Sequence, residues 1–209
     1  MKKHTKTENF KILEIITLFS IGGATETVVS ISSGLINKSL YVDIITGPNI
    51  NVEGDMYEEA NKLHLNVITL PTLKRDIHIF YDLITLIKLY KIIKKGKYDL
   101  VHTHSAKAGM LGRWAARFAG VKNIVNTVHG WGFSSSQNNL LKRLLILLER
   151  ITAHITSKFI CVTVMDIEKG INNRIGNRNQ YTIIRSGIDL NKYSNPEMMK
   201  QEIRQKLNL

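Results

Sequence analysis

Hydrophobic positions along the chain fall into two alternating patterns. Short, nearly continuous apolar runs rich in β-branched residues occur at 11–17 (KILEIIT), 41–46 (YVDIIT), 66–70, 98–103 (YDLVHT), 123–128, 158–163 and 181–185. Each is bounded by polar residues, Gly or Pro, and predicts a β-strand. Between them apolar residues recur at three- to four-residue spacing, the period of an amphipathic helix. One helix is expected from about 25 to 36, with Val28, Ile31, Ser32 and Leu35 on one face. A second starts near Asp76 as N-cap and carries Ile79, Phe80, Leu83, Ile87, Tyr90 and Ile93 along a stripe to Gly96. A third, capped by Ser105, has the small residues Ala108, Gly109, Gly112, Ala115, Ala116 and Ala119, which let a helix backbone lie close to its neighbour. A fourth spans about 140–156, with Leu141, Leu144, Leu145, Leu148, Ile151 and Ile155 along one stripe. A short helix near 166–173 and a last piece beginning at Pro196 complete the pattern.

Strand and helix alternating from end to end imply an α/β fold: a Rossmann-like parallel sheet of about seven strands with helices on both faces. In such sheets ligands bind beyond the carboxyl ends of the strands. The segments that matter are therefore 20–25, 47–51, 71–76, 102–107, 129–134 and 185–189.

Gly22 and Gly23 follow the first strand, where glycines admit a ligand close to the backbone and helix N-terminal N–H groups favour an anion. Neither the dinucleotide fingerprint nor the Walker A pattern is present, which excludes the usual NAD and P-loop chemistries. His102 and His104 point to the same face if their strand runs through both. A metal would need a third ligand, and no H-E-x-x-H or D-x-D accompanies the pair, so hydrogen bonding to backbone or ligand is the expected role. His129 ends a strand and is followed by Gly130 and Gly132. An imidazole there suits a phosphate or a reacting hydroxyl, with a structural role as the alternative.

Charge widens the picture. Lys and Arg number 29 against 17 Asp and Glu, a formal net charge of +12. Cations occur throughout, with one local run at Lys88, Lys91, Lys94, Lys95 and Lys97. No zinc-finger spacing or aromatic RNA-binding signature accompanies them, which argues against nucleic acid. Ile146 and Leu147 lie off the leucine stripe beside Lys142, Arg143 and Arg150. An anionic membrane surface would suit that mixture, and a broad core-facing helix is the alternative. The single cysteine, Cys161, excludes a disulfide framework or a multi-cysteine metal site and points to a reducing compartment. No apolar run is long enough for an ordinary membrane span, and the polar start of the chain does not read as a signal peptide.

Taken in order, the Gly–Gly loop, DLVHTHSAKAGMLGRWAARFAGV, NTVHGWGF and IIRSGIDLNKY resemble the amino-terminal half of GT-B glycosyltransferases of family 4, from Lys11 onward. The likeness is greatest to bacterial enzymes that build lipid-linked surface polysaccharides and oligosaccharides. It implies retaining, metal-independent transfer from a nucleotide-sugar donor to a lipid-linked saccharide acceptor, with no cofactor, at the cytoplasmic face of a membrane. It also implies roles for single residues. Gly22 and Gly23 would approach the donor diphosphate and His129 would stand at the reaction centre. Arg75, His104 and Ser105 would face the acceptor, and Arg185, Ser186 and Gly187 would form the interdomain, donor-side edge. Residues 1–195 would form the acceptor-binding domain and 196–209 the start of a linker helix. Relatives continue into a second, donor-binding domain with a Glu-x₇-Glu motif, which these residues lack. The resemblance thus implies that this chain alone is inactive, as a truncated enzyme or one half of a split one. A non-catalytic acceptor-binding module that needs a separate donor-binding chain is the alternative.

Overall fold

The computed structural model describes residues 10–48, 54–134, 137–187 and 196–207. Sequence positions 49–51 and 188–189, which fall in two of the expected ligand loops, lie outside the described residues. The chain runs β1 (Lys11–Ile16), α1 (Gly23–Ile36), β2 (Tyr41–Thr46), α2 (Tyr57–Lys62), β3 (Asn66–Thr69), α3 (Ile79–Gly96) and β4 (Leu100–His104). It continues through α4 (Ala106–Ala119), β5 (Asn123–Val128), α5 (Asn139–Ala153), β6 (Lys158–Cys161), α6 (Val164–Asn172), β7 (Tyr181–Ile183) and α7 (Pro196–Lys206). The strands form one seven-stranded sheet in the order β3-β2-β1-β4-β5-β6-β7, and every pairing is parallel.

The reversal of strand order between β1 and β4 follows from where the helices go. Helices α1 and α2 pack through Val28, Val29 and Ala60 against Ile16 and Ile44 on one side of the sheet. On the other side, α3 and α4 pack through Leu89, Ile93, Ala108 and Ala115 against Leu13, Ile15, Ile45 and Val101. Helices α5 and α6 add Ile146, Ala153 and Ile167 against Val128, Phe159 and Cys161. The small residues of α4 act as the sequence indicates. A Cβ on Gly112 would lie 2.8 Å from Thr103 Cγ2 and 3.0 Å from Ile15 Cδ1, so only glycine lets the helix seat on β1 and β4.

Several helical expectations need correction. The N-cap of α3 is His78, whose Nδ1 accepts from Tyr81 N, and not Asp76. The expected stripe of α3 is largely outside: Ile79, Phe80, Leu83 and Ile87 are exposed, while Thr85, Leu89 and Ile93 face inward. In α5 the inner face is Ile146, Glu149, Thr152 and Ala153. Leu141, Leu144 and Ile151 are exposed, and so are Leu140 and Leu147. Ile146 is therefore a core residue and no part of an outer surface. Helix α2 had no counterpart in the sequence reading, because its single buried residue, Ala60, leaves no apolar period to detect.

Candidate functional site

The site begins with a carboxylate in an unusual place. Glu14 sits in the middle of β1 with no exposed surface. The strand alternation that turns Leu13 and Ile15 toward α3 and α4 turns Glu14 to the opposite side of the sheet. Parallel pairing sets Glu14 beside His102 of β4, and His104 follows two residues on. Both histidines reach it: His104 Nε2 donates to Glu14 Oε2 at 2.8 Å, and His102 Nδ1 lies 3.0 Å from the same oxygen. Burial would raise the Glu14 pKa, but attraction to His102 and hydrogen bonds from both imidazoles outweigh it and hold the group down near 2.

From this carboxylate two paths lead outward. His102 Nε2 shares a 2.7 Å hydrogen bond with Thr127 of β5. His104 Nδ1 lies 3.1 Å from His129 Nε2, just beyond the end of β5, with the ring centroids 5.4 Å apart and the ring planes inclined by 29°. Burial and the neighbouring His102 charge lower the His104 pKa to about 4 despite the carboxylate, and burial also lowers that of half-buried His129. Both are neutral imidazoles at pH 7. His104 is itself fully buried, so it reaches a ligand only through His129.

The loop of His129 is held by close approach. Gly132 passes so near the start of α4 that a Cβ there would lie 2.6 Å from that of Ala106. Trp131 Nε1 donates to the Asp166 carbonyl at 2.8 Å, tying the loop to α6.

Ser105 occupies the N-cap position of α4 but does not cap it with its side chain. Its Oγ instead accepts from Thr17 N and lies 2.6 Å from Thr17 Oγ1, while Thr17 Oγ1 accepts from Ala108 N. The cap of α4 is thus supplied by the residue that follows β1. Ser105 adopts φ 61°, a conformation costing about 1–3 kcal/mol for a residue with a side chain, and the Thr17 bonds hold it there.

Other expected residues ring this centre. Gly22 and Gly23 are exposed at the start of α1, whose first N–H groups have no side-chain cap. Thr27 Oγ1 donates to Ser186 Oγ at 3.2 Å, joining that helix to the segment Arg185, Ser186 and Gly187 beyond β7. Thr27, Arg185, Ser186 and Gly187, with Glu14, His102 and Thr127, line a cavity of about 440 Å³ beside α1. Arg75 is exposed on the loop before α3. Lys107 ties that loop to α4, bonding the Asp76 carbonyl and pairing with Asp82.

Glu14, Thr17, Lys107 and Thr127 were not singled out from sequence. The one signal for them was Glu14 itself, an ionisable residue interrupting an apolar strand, which calls for a buried partner. Glu14 also brings a third ligand-type group to the histidine pair, with one donor atom from each of the three within 4.8 Å of the others. Each of these atoms is already hydrogen-bonded within the cluster.

With this geometry in hand, the comparisons are specific. Residues 21–192 match the model for Glycosyltransferase Family 4. The chain belongs to that family. It is 42% identical over 137 residues to an Escherichia coli UDP-Gal:alpha-D-GlcNAc-diphosphoundecaprenol alpha-1,3-galactosyltransferase, covering 66% of this chain and 35% of that protein. It is 29% identical over 159 residues to the O-antigen biosynthesis glycosyltransferase WbnH of Escherichia coli, covering 76% of this chain and 43% of that one. Among solved structures, HepE of Anabaena in complex with UDP and glucose superposes with a TM-score of 0.74 at 18% identity, covering 95% of this chain and half of HepE. The fold is therefore shared with half of HepE, and the chain spans less than half the length of these two curated relatives.

Proposed function

We propose that this chain is the amino-terminal, acceptor-binding half of a retaining glycosyltransferase. It acts in surface polysaccharide biosynthesis, moving a sugar from a nucleotide-sugar donor to a lipid-linked saccharide at the inner face of the cytoplasmic membrane. One observation carries the reading: polar groups at the carboxyl edge of the sheet are flanked by an exposed apolar rim. His129 and the open start of α1 form the polar part. The rim is Ile79, Phe80 and Leu83 at the start of α3, with Leu140, Leu144 and Leu147 at the start of α5. Helices antiparallel to the strands bring both starts to the same edge. A lipid-linked sugar has both a polar and an apolar part, and so does the substrate named for the galactosyltransferase relative.

In this reading the N–H groups of Gly23 and Ala24 meet the leaving diphosphate, whose charge must be neutralised as the glycosidic bond breaks. Arg185 and Ser186 stand on the same side, joined to α1 through Thr27. The reaction proceeds without a resident metal. The Glu14, His102 and His104 atoms that could ligate one are instead satisfied by each other. The rim and the exposed Lys74, Arg75 and Arg143 rest against the anionic membrane surface. The donor nucleotide is held by a second domain outside these residues.

The test is a chimera in which residues 1–195 replace the corresponding half of the Escherichia coli galactosyltransferase. The expected result is galactose transfer from UDP-galactose to a diphosphoundecaprenol-linked acceptor, and a loss of roughly 10²-fold in kcat for His129→Ala. A folded chimera that binds the acceptor without turnover would favour a non-catalytic module. The 209-residue chain alone should show no turnover near an ordinary rate of about 1 s⁻¹.

A further inference from the structure

Beyond its place at the edge of the sheet, His129 has a defined polarity that can be traced from the buried carboxylate. An ionised carboxylate only accepts hydrogen bonds. The 2.8 Å contact with Glu14 Oε2 therefore places the proton of His104 on Nε2. A neutral imidazole carries one proton, so His104 Nδ1 holds a bare lone pair. The 3.1 Å contact to His129 is then a hydrogen bond only if His129 Nε2 is the donor. His129 Nδ1 is left without a proton, and among the described residues it has no hydrogen-bond partner.

We propose that Glu14 and His104 are positioning residues that fix His129 as the Nε2–H tautomer, so that it offers Nδ1 to its ligand as an acceptor. A phosphate oxygen is also an acceptor and gains nothing from such a nitrogen, whereas a hydroxyl donates to it. The group that His129 receives is thus a sugar hydroxyl, of donor or acceptor, and not the diphosphate. The identity of the ligand as a sugar rests on the proposed function; the tautomer does not.

The position of the relay supports the assignment. Glu14 has no exposed surface and His104 has none, so no water competes for either bond. Ser105, next in sequence to His104, is held in its strained conformation by Thr17, three residues beyond Glu14 and just past the end of β1. Among the described residues, the charged or titratable groups that act on His129 are His102, His104 and Asp166, and none of them is a donor placed to reverse the chain.

The experiment is two-bond ¹H–¹⁵N correlation of the histidine rings in this chain at pH 7, with His129→Gln to assign the signal. It needs neither substrate nor turnover, so it is independent of the chimera assay. Both His104 and His129 should appear as the Nε2–H tautomer. In Glu14→Gln the side-chain amide can donate to His104 Nε2, reversing the chain, and His129 should shift to the Nδ1–H form or to a mixture. In His104→Phe the acceptor for His129 Nε2–H is gone, and the single-tautomer signal should likewise give way to a mixture. A parent His129 protonated on Nδ1 overturns the proposal, even if neither variant folds. So does a His129 signal unchanged in a folded variant.

Discussion

Arg113 of α4 has no exposed surface, and its Nη2 donates to Glu149 Oε2 of α5 at 2.8 Å. The same guanidinium donates to the Gly109 carbonyl and to Thr156 Oγ1. This pair decides which side of α5 faces the protein. Removing one partner leaves a buried charge unmatched, so Arg113→Ala or Glu149→Ala should each cost about 3–5 kcal/mol in urea unfolding. Arg113→Met combined with Glu149→Leu should recover most of that loss. Single variants that unfold like the parent would show the pair to be energetically idle.

Because Ile146 is inside and Leu144 and Leu147 are outside, serine at these positions should act in opposite ways. Leu144→Ser with Leu147→Ser should leave folding intact and weaken salt-resistant binding to vesicles. Ile146→Ser should lower the melting temperature. The lysine run at Lys88–Lys97 lies along the far half of α3, away from the rim, so replacing its lysines should change vesicle binding little. Co-sedimentation with anionic and neutral vesicles tests this at low salt and at 1 M, where the Debye length falls to about 3 Å. Equal sedimentation with both lipids under all conditions would count against an electrostatic contribution.

Acid should destabilise the protein in two steps of the same sign. His104 has a folded pKa near 4 against an ordinary 6.5, so the unfolded chain binds more protons between those values and stability falls as pH drops through that window. Glu14, near 2 against an ordinary 4.5, extends the loss from about pH 4.5 downward. Each group contributes a slope of at most about 1.4 kcal/mol per pH unit. Melting temperature measured from pH 7 to pH 4 should decline in the parent. In His104→Phe, if it folds, the decline over that window should be shallower.

Gly132→Ala should separate site geometry from stability. The added methyl would meet Ala106 at 2.6 Å, a contact relieved only by moving the loop that carries His129. The expected outcome is a modest change in melting temperature, with loss of the His104–His129 coupling in the ring spectra and a reduced kcat in the chimera.

Legibility in the sequence followed what each signal measures. Strands buried on both faces read as continuous apolar runs, so β2 and β5 end where the pattern ends, and the parallel order follows from alternation. Helix faces were less legible. Periodicity finds an apolar stripe but does not tell core from an exposed rim. In α5 the inward side carries Glu149 and Thr152, polar residues matched by Arg113 and by Trp114 Nε1. In α3 the outward apolar residues gather in the first turns, beside the site. His129, Ser105 and the glycine loops were visible because strand ends are where ligands bind. Glu14 and Thr17 take up their hydrogen-bonded positions only through partners far along the chain, which no local pattern registers.

That separation bears on synthesis. Glu14 is 88 residues from His102 and 90 from His104, and Thr17 is 88 from Ser105. A nascent chain translated only as far as β3 contains the central strand without the partner on its other side. The carboxylate then stays hydrated, and pulling it beneath the sheet has no compensation until β4 has left the ribosome. The pairing of β1 with β4 and the dehydration of Glu14 are thus coupled late events. Ribosome pausing before His104 would prolong exposure of the β1 edge, the moment when this domain is most open to chaperones and to mispairing.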